Sequence, residues 1–334
     1  MVSPFSASER RPGREVAGEV QVRVPAKVNL FLAVRGRRPD GFHEIVSVMH
    51  TVGLYDRVTV RLEGPPGSWS HPAARRRMDV LLEHDAGDAV PRDASNLAVR
   101  AALALADTRG IREMAASRHA ADRPITRVEL AKRIPVGAGM AGGSADAAAT
   151  LIALNRLWDM DLDVEELQDV AATLGADVPF CVTGGTALAS GTGTATARVL
   201  SRGTYHWVVG VQEQPLSTAD VYAAWDEVGR PSEVEPDAVL HALRTQDPEA
   251  LGAALHNDLD AAAFHLRPGL RDARDALCAA GAFGAVVSGS GPTLIALAED
   301  ADAASAIAQA TAGHFAAAEV VRSPGGGPEV LTPR

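Results

Sequence analysis

From Val20 onward the chain alternates apolar and polar positions: Val22, Val24, Val28, Leu30 and Leu32 fall on one parity, Arg23, Lys27 and Asn29 on the other. A period of two predicts a strand with one buried face, and it sets Lys27 and Asn29 side by side on the opposite face. The Asp-Gly pair in "RRPDGFHEI" marks a turn, after which "EIVSVMHTVGLYDRVTVRL" returns as further strand. "TRVELAKRIPVGAGMAGG" reads as a strand running into a glycine loop. Val128, Leu130, Lys132 and Ile134 share a parity there, so Lys132 stands where an apolar residue belongs.

Helical stripes punctuate these strands. "DASNLAVRAALALADTRG" opens with capping residues, "SADAAATLIALNRLW" follows the glycine loop, and "DVEELQDVAATLG" starts with a capping box at Asp163 and Glu166. Residues 64–92, rich in Pro, Gly, Arg and Asp, read as a loop or insertion. Near residue 200 a second unit begins: strand "YHWVVGVQ", helix "LSTADVYAAWDEV", then helix, strand, glycine turn and strand through "GLRDARDALCAAGAFGAVVSGSGPTLIALAED". A helix "ADAASAIAQATAG" and a last strand "FAAAEVVRS" complete it. The pattern divides the chain into a polar, disordered extension at 1–18, a first domain at 19–200, a second at 201–322 and a flexible tail at 323–334.

Composition changes this picture little. With 334 residues, 46% hydrophobic and 22% charged, the chain is an ordinary globular one with room for two cores. No apolar run reaches membrane-spanning length, and the N-terminus lacks the apolar segment of a signal peptide, so a cytoplasmic protein with no membrane partner is expected. A net charge of −10 argues against a nucleic-acid partner but leaves room for a small anion held by a few lysines. Cys181 and Cys278 form no CxxC pair and read as small buried hydrophobes.

The candidate chemistry centres on "PVGAGMAGGSADAAA", residues 135–149. Gly137, Gly139, Gly142 and Gly143 let the backbone turn tightly and aim several N–H groups at one point. Ser144 then opens a helix whose positive end favours an anion. A Walker loop needs lysine before its hydroxyl residue, and Gly143 stands there instead. No acidic residue suits a dinucleotide fingerprint either. Charge for a bound polyphosphate must therefore come from Mg²⁺ and from lysines elsewhere. Lys27 in "PAKVNL" and Asp177 in "GADVPF" are placed among apolar neighbours; an acid and a lysine could accept a hydroxyl proton and steady a transferring phosphoryl group, or could simply form a structural ion pair. "VVSGSGPTLIAL" is a second glycine turn. "DMDLD" lacks the glycine and glutamate of a calcium loop, and the ten histidines show no zinc spacing.

Together these segments resemble the GHMP small-molecule kinases. The glycine loop is similar to their central motif. "PAKVNLFLAVRGRRPDGFHEIVSVMHTV", "GADVPFCVTGGTALASGTG" and "VVSGSGPTLIAL" are similar, in order, to motifs of the branch acting on a cytidine diphosphate ester of methylerythritol, and the likeness runs from about Val20 to Val321. The resemblance implies an α+β fold of two domains: an N-terminal ATP-binding domain with ribosomal-protein-S5-like topology and a C-terminal ferredoxin-like α/β sandwich. It also implies a left-handed β-α-β connection, against the usual right-handed rule.

The same resemblance assigns residues. ATP, with Mg²⁺ as counter-ion, lies on Pro135, Val136, Gly137, Ala138, Gly139, Met140, Ala141, Gly142, Gly143, Ser144 and Ala145, with Asn96 and Lys132 on the nucleotide side. Lys27 and Asp177 are the catalytic pair; Asp177 takes the proton of the substrate's 2-hydroxyl in a step of non-mevalonate isoprenoid synthesis. Asn29, Phe42, His43, Thr218, Tyr222, Gly289, Ser290 and Gly291 face the substrate, His43 reading the cytosine edge between the rings of Phe42 and Tyr222. No residue is assigned to a metal, and the protein is expected to be a monomer or homodimer. A sister kinase acting on homoserine or mevalonate, or a non-catalytic nucleotide-binding homologue, remains an alternative. The N-terminal extension, residues 64–92 and "IREMAASRHAADRP" exceed what a minimal member needs.

Overall fold

The computed structural model describes residues 15–64, 79–108 and 125–331. The expectations for residues 1–14, for residues 65–78 of the insertion at 64–92, for "IREMAASRHAADRP" and for the last three residues lie outside the described residues.

The alternating N-terminal pattern forms a long hairpin of β1 (Glu15–Arg37) and β2 (His43–Gly64). Its turn is held by the Phe42 N–H donating to Asp40 Oδ1 at 3.1 Å, with Gly41 at φ 88°. Then follow β3 (Asp79–His84), α1 (Leu97–Asp107), β4 (Ile125–Ala131), α2 (Gly142–Leu157), α3 (Val164–Ala172), α4 (Val178–Thr183), β5 (Thr186–Gly191) and β6 (Ala195–Arg198). The second half contributes β7 (Tyr205–Val211), α5 (Thr218–Val228), α6 (Asp237–Thr245), α7 (Pro248–Ala254), β8 (His256–Asn257), α8 (Asp260–Leu266), α9 (Gly269–Ala279), β9 (Gly284–Val287), β10 (Leu294–Ala298), α10 (Ala301–Ala310), β11 (Ala317–Ser323) and β12 (Glu329–Leu331).

Two sheets result. The larger runs β12-β1-β2-β4-β3, with β5 beside β2, β6 beside β5 and β8 beside β1; the smaller runs β11-β7-β10-β9. Helix α2 covers the larger sheet. Its Ala145, Ala147, Ala148, Ala149, Leu151 and Leu154 are fully buried in one cluster with Val22, Val24, Val28 and Leu30 of β1. Small alanines let the helix approach the sheet closely, which fixes where its N-terminus points. The capping box at Asp163 and Glu166 forms as the sequence predicts.

Four expectations need correction. Residues 15–18, assigned to the disordered extension, already pair with β2. Residues 79–84, inside the presumed insertion, form β3 parallel to β4; only Leu82 and His84 are buried on this half-exposed edge, too weak an alternation to stand out. The tail at 323–331 is not free: β12 pairs with β1, and the Gly325 N–H donates to Thr51 O at 2.8 Å. A Cβ at Gly325 would lie 2.5 Å from Val52 O, so this glycine serves close backbone contact. Cys278 is exposed, whereas Cys181 is buried. Helices α6, α7 and α8 fill the stretch between "LSTADVYAAWDEV" and "GLRDARDALC".

One polar node joins the two sheets. His50 is fully buried, with Nδ1 against Thr186 Oγ1 and Nε2 against Ser323 Oγ, both at 2.7 Å; Trp207 Nε1 donates to the same Ser323 oxygen. Burial lowers the His50 imidazole to about 3, so it stays neutral. The unfolded chain takes up a proton near pH 6.5 that the folded one refuses, so this group's stabilisation is lost as pH falls from about 6.5 towards 3, by up to about 1.4 kcal/mol per pH unit. His50→Gln should be less stable at pH 7, and its deficit in Tm should shrink by pH 5. Melting curves at the two pH values check this; a constant deficit contradicts it.

Candidate active site

A cavity of about 960 Å³ lies between the two sheets, at the upper end of the range for small-molecule sites. One wall is the glycine loop. Gly137 and Gly139 have φ of 64° and 73°, and Ala141 takes a left-handed φ of 57° immediately before α2. At Gly139 no side chain fits: a Cβ would lie 2.2 Å from Ser288 O and 3.0 Å from Gly291 N. The first and second glycine turns thus interlock, and Ser288 Oγ donates to Gly139 O at 3.1 Å.

Helix α2 begins at Gly142, two residues earlier than expected, so Ser144 is in its first turn and not its cap. The first intrahelical bond is Ala145 N–H to Ala141 O at 2.8 Å. The amides of Gly142, Gly143 and Ser144 precede it, and all three residues line the cavity. Pro135, Val136, Gly137, Ala138, Gly139 and Ala141 line it too. Met140 and Ala145 do not: both side chains pack into the core. Met140 O instead accepts the Lys27 N–H at 3.2 Å, tying β1 to the loop.

Lys27, 5% exposed, donates from Nζ to Asn29 Oδ1 at 2.8 Å and lies 3.4 Å from Asp177 Oδ2. Asp177 precedes α4 at the position where aspartate usually accepts a backbone N–H. Here it makes no such bond, and its carboxylate, about a third exposed, is left for Lys27 and the cavity. The two residues that the sequence leaves 150 positions apart thus share one polar spot in an apolar surround.

The opposite end of the cavity is aromatic. The His43 ring stacks on Tyr222 at 4.7 Å and 25°, meets Trp225 edge-on at 5.4 Å, and bonds through Nε2 to Asp226 Oδ1 at 2.8 Å. Burial and the charge of Asp177 push the Tyr222 phenol up to about 12, so it keeps its proton. Phe42 is 66% exposed at the rim. Tyr222 therefore faces His43 here, and Phe42 stands free of both. Thr218 Oγ1 meets Ser290 Oγ at 2.9 Å, bridging α5 to the second glycine turn, and Gly289, Ser290 and Gly291 line the cavity.

Asn96 and Lys132 line the cavity with their polar groups already engaged. Asn96 caps α1 by accepting the Ala98 N–H and donates to Pro91 O, each at 2.9 Å. Lys132 Nζ donates to Asp56 and, at 2.6 Å, to Asp146 Oδ2. Asp56 Oδ1 also accepts the N–H groups of Arg133 and Ile134 at 2.6 and 2.9 Å, at the entry to the glycine loop. Burial raises the Asp146 carboxyl to about 7, with Lys132 opposing and Asp56 adding to the rise. Asp56, Asp146 and Asp226 escaped the sequence reading. Asp146 had a signal, a lone acid within an alanine run, and Asp226 follows Tyr222 by one helical turn. Asp56 had none.

The comparisons agree with this architecture. Residues 96–185 match the family of the GHMP kinases N terminal domain, and residues 239–317 match GHMP kinases C terminal. A 4-diphosphocytidyl-2-C-methyl-D-erythritol kinase of Streptomyces avermitilis is 44% identical over 318 residues, spanning 93% of this chain and 99% of the relative. The enzyme of that name from Mycobacterium tuberculosis is 44% identical over 294 residues, 86% of this chain and 84% of its own. A crystal structure of 4-(cytidine 5'-diphospho)-2C-methyl-D-erythritol kinase superposes with a TM-score of 0.68 at 31% identity, covering 90% of this chain and 98% of the other. A homoserine kinase from Cytophaga hutchinsonii shares the fold, with a TM-score of 0.68 at 21% identity over 98% of this chain and 99% of that one. The chain belongs to the GHMP kinases and, within them, to the 4-diphosphocytidyl-2-C-methyl-D-erythritol kinase family.

Proposed function

We propose that this protein transfers the γ-phosphoryl group of ATP to the 2-hydroxyl of 4-diphosphocytidyl-2-C-methyl-D-erythritol, giving the 2-phosphate and ADP in non-mevalonate isoprenoid synthesis. The observation that carries the reading is the Lys27–Asp177 pair, held in one cavity between a glycine cradle and an aromatic pocket. Relatives of that name at 44% identity favour this substrate over homoserine or mevalonate.

The ATP phosphates lie against the amides of the glycine loop and the first turn of α2, where helix and nest dipoles favour anions. An Mg²⁺ ion carried by the polyphosphate would need few protein ligands. Ser144 and Asp177 line the cavity and could complete the shell of such an ion. When bound, Mg²⁺ would neutralise phosphate charge. The substrate hydroxyl approaches between Lys27 and Asp177. As its oxygen bonds to the γ-phosphorus and the bond to the ADP oxygen breaks, its proton passes to Asp177 Oδ2. Lys27 offers an N–H to the transferring oxygens.

Tyr222, Phe42 and His43 take the cytosine, Thr218 and the turn at Gly289, Ser290 and Gly291 the diphosphate and polyol, and Asn29 the acceptor end. Asn96 and Lys132 shape the nucleotide side. We assign residues 19–200 to the ATP-binding domain and 201–322 to the second domain, with β8 and β12 of the later sequence returning to the first sheet.

Phosphorus NMR with Mg·ATP and the cytidine substrate, with homoserine and mevalonate in parallel, tests the reading. A new phosphomonoester signal growing with ADP is expected for the cytidine substrate alone. Phosphorylation of a control would overturn the substrate, and no transfer to any of the three would overturn the kinase.

A further inference from the structure

Below the catalytic pair runs a chain of hydrogen bonds whose direction is fixed by chemistry. Ser47 of β2 is fully buried and does not line the cavity. Its Oγ lies 2.7 Å from Phe31 O, and Asn29 Nδ2 lies 2.7 Å from the same Oγ. A carbonyl oxygen can only accept, so the Ser47 hydroxyl must donate to Phe31 and receive from Asn29. Asn29 must then present NH₂ to Ser47 and turn its carbonyl oxygen the other way, onto Lys27 Nζ at 2.8 Å. The donor-only Lys27 ammonium demands the amide oxygen at one end and the Ser47 hydroxyl takes the NH₂ at the other, so the Asn29 amide is held from both sides.

The backbone supports the same arrangement. The β1–β2 register shifts between Asn29 and Phe31, where Leu30 is the extra residue of a bulge. Bulges re-aim neighbouring side chains, and this one brings the Phe31 carbonyl and the Asn29 amide to the same side of Ser47. Lys27 carries three N–H donors. Asn29 takes one, Asp177 lies within 3.4 Å of the ammonium, and a donor remains for the transferring phosphoryl oxygens. Were the Asn29 amide reversed, its NH₂ would confront the ammonium, and the buried lysine would turn away to find another acceptor.

We infer that Ser47 is a positioning residue for phosphoryl transfer: its hydroxyl anchors the NH₂ end of the Asn29 amide, whose oxygen aims Lys27. The inference rests on the role given to Lys27 under the proposed function. Ser47 touches no substrate and acts only through Asn29.

Three variants separate the hydroxyl from the packing: Ser47→Ala removes the oxygen, while Ser47→Thr and Ser47→Val are nearly isosteric with each other and differ in keeping or losing it. Steady-state kinetics of the full-length enzyme with ATP and the cytidine substrate give kcat and both KM values. Expected is a kcat loss of about tenfold or more for Ala and Val, the scale of a misplaced hydrogen bond to a charged group. KM for ATP stays close to wild type, and Thr restores most of the rate. Equal rates for Thr and Val, or a wild-type kcat for Ala, would overturn the inference, as would a loss confined to KM for ATP. Ser47→Ala carries the test alone if the larger side chains prevent folding. Lys27→Met is the companion: if it keeps full activity the role of Lys27 fails, whereas an inactive Lys27→Met beside a fully active Ser47→Ala rejects Ser47 only.

Discussion

Asp177→Asn is expected to lower kcat by about 10²–10⁴-fold, the usual contribution of a positioned acid or base, with ATP binding nearly unchanged. Asparagine keeps the shape of the side chain but cannot accept the hydroxyl proton. The fold should tolerate it, because Asp177 is about a third exposed and makes no capping bond to α4. Lys27 is not stranded either, since Asn29 Oδ1 still receives one of its N–H groups. The proposed ATP site is the glycine loop, which Asp177 does not hold. Rapid-quench measurement of the transfer step, paired with calorimetric titration of ATP, separates the two effects. A drop smaller than about tenfold would mean that Asp177 orients the hydroxyl and leaves its proton to solvent, as a loose transition state allows. Full activity would remove it from the site.

Where one residue type is forced by one geometry, the sequence was informative. Gly139 is a case: its crowding against Ser288 and Gly291 admits no Cβ, and the run of glycines between strand and helix marked a tight backbone turn at that place. The alternation that put Lys27 beside Asn29 held, because a strand's period is rigid. Pairings over long separation were not legible. Nothing local told that Asp56 would reach Lys132 from β2 or that Ser47 would meet Asn29, since both contacts depend on register across the hairpin, and bulges shift that register. Nor was it legible that Tyr222 would stack on His43 while Phe42 stands exposed at the rim, since both depend on how α5 meets the hairpin turn. Strand Glu329–Leu331 was missed for a related reason: three residues among glycines and prolines gain their structure from β1, not from their own propensity.

Lys132→Met should be the most destabilising of the substitutions considered, by about 3–5 kcal/mol, because removing one partner of a buried ionic group leaves the others uncompensated. Two carboxylates share this ammonium, and both are essentially buried. Burial works against the Lys132 charge, but Asp146 and Asp56 outweigh it and raise its pKa, so it is the fixed positive centre of the trio. The proton that partly relieves the trio belongs to Asp146, whose carboxyl is raised to about 7 while an unfolded aspartate titrates near 3.8. Between those values the folded state holds a proton that the unfolded state has released, so this group's contribution to stability falls as pH rises from about 4 to about 7. Without the ammonium the Asp146 carboxyl holds its proton more tightly still, and the penalty of the variant should therefore be larger at pH 8 than at pH 5.5. Thermal melts at the two pH values test this, with a loss on the order of 10 °C expected at the higher. ATP affinity should fall as well, because Asp56 secures the Arg133 and Ile134 amides that lead into the glycine loop. Adding Asp146→Leu to Lys132→Met should restore part of the stability, since it removes one stranded charge; strict additivity of the two losses would show that the residues do not act as one ionic group.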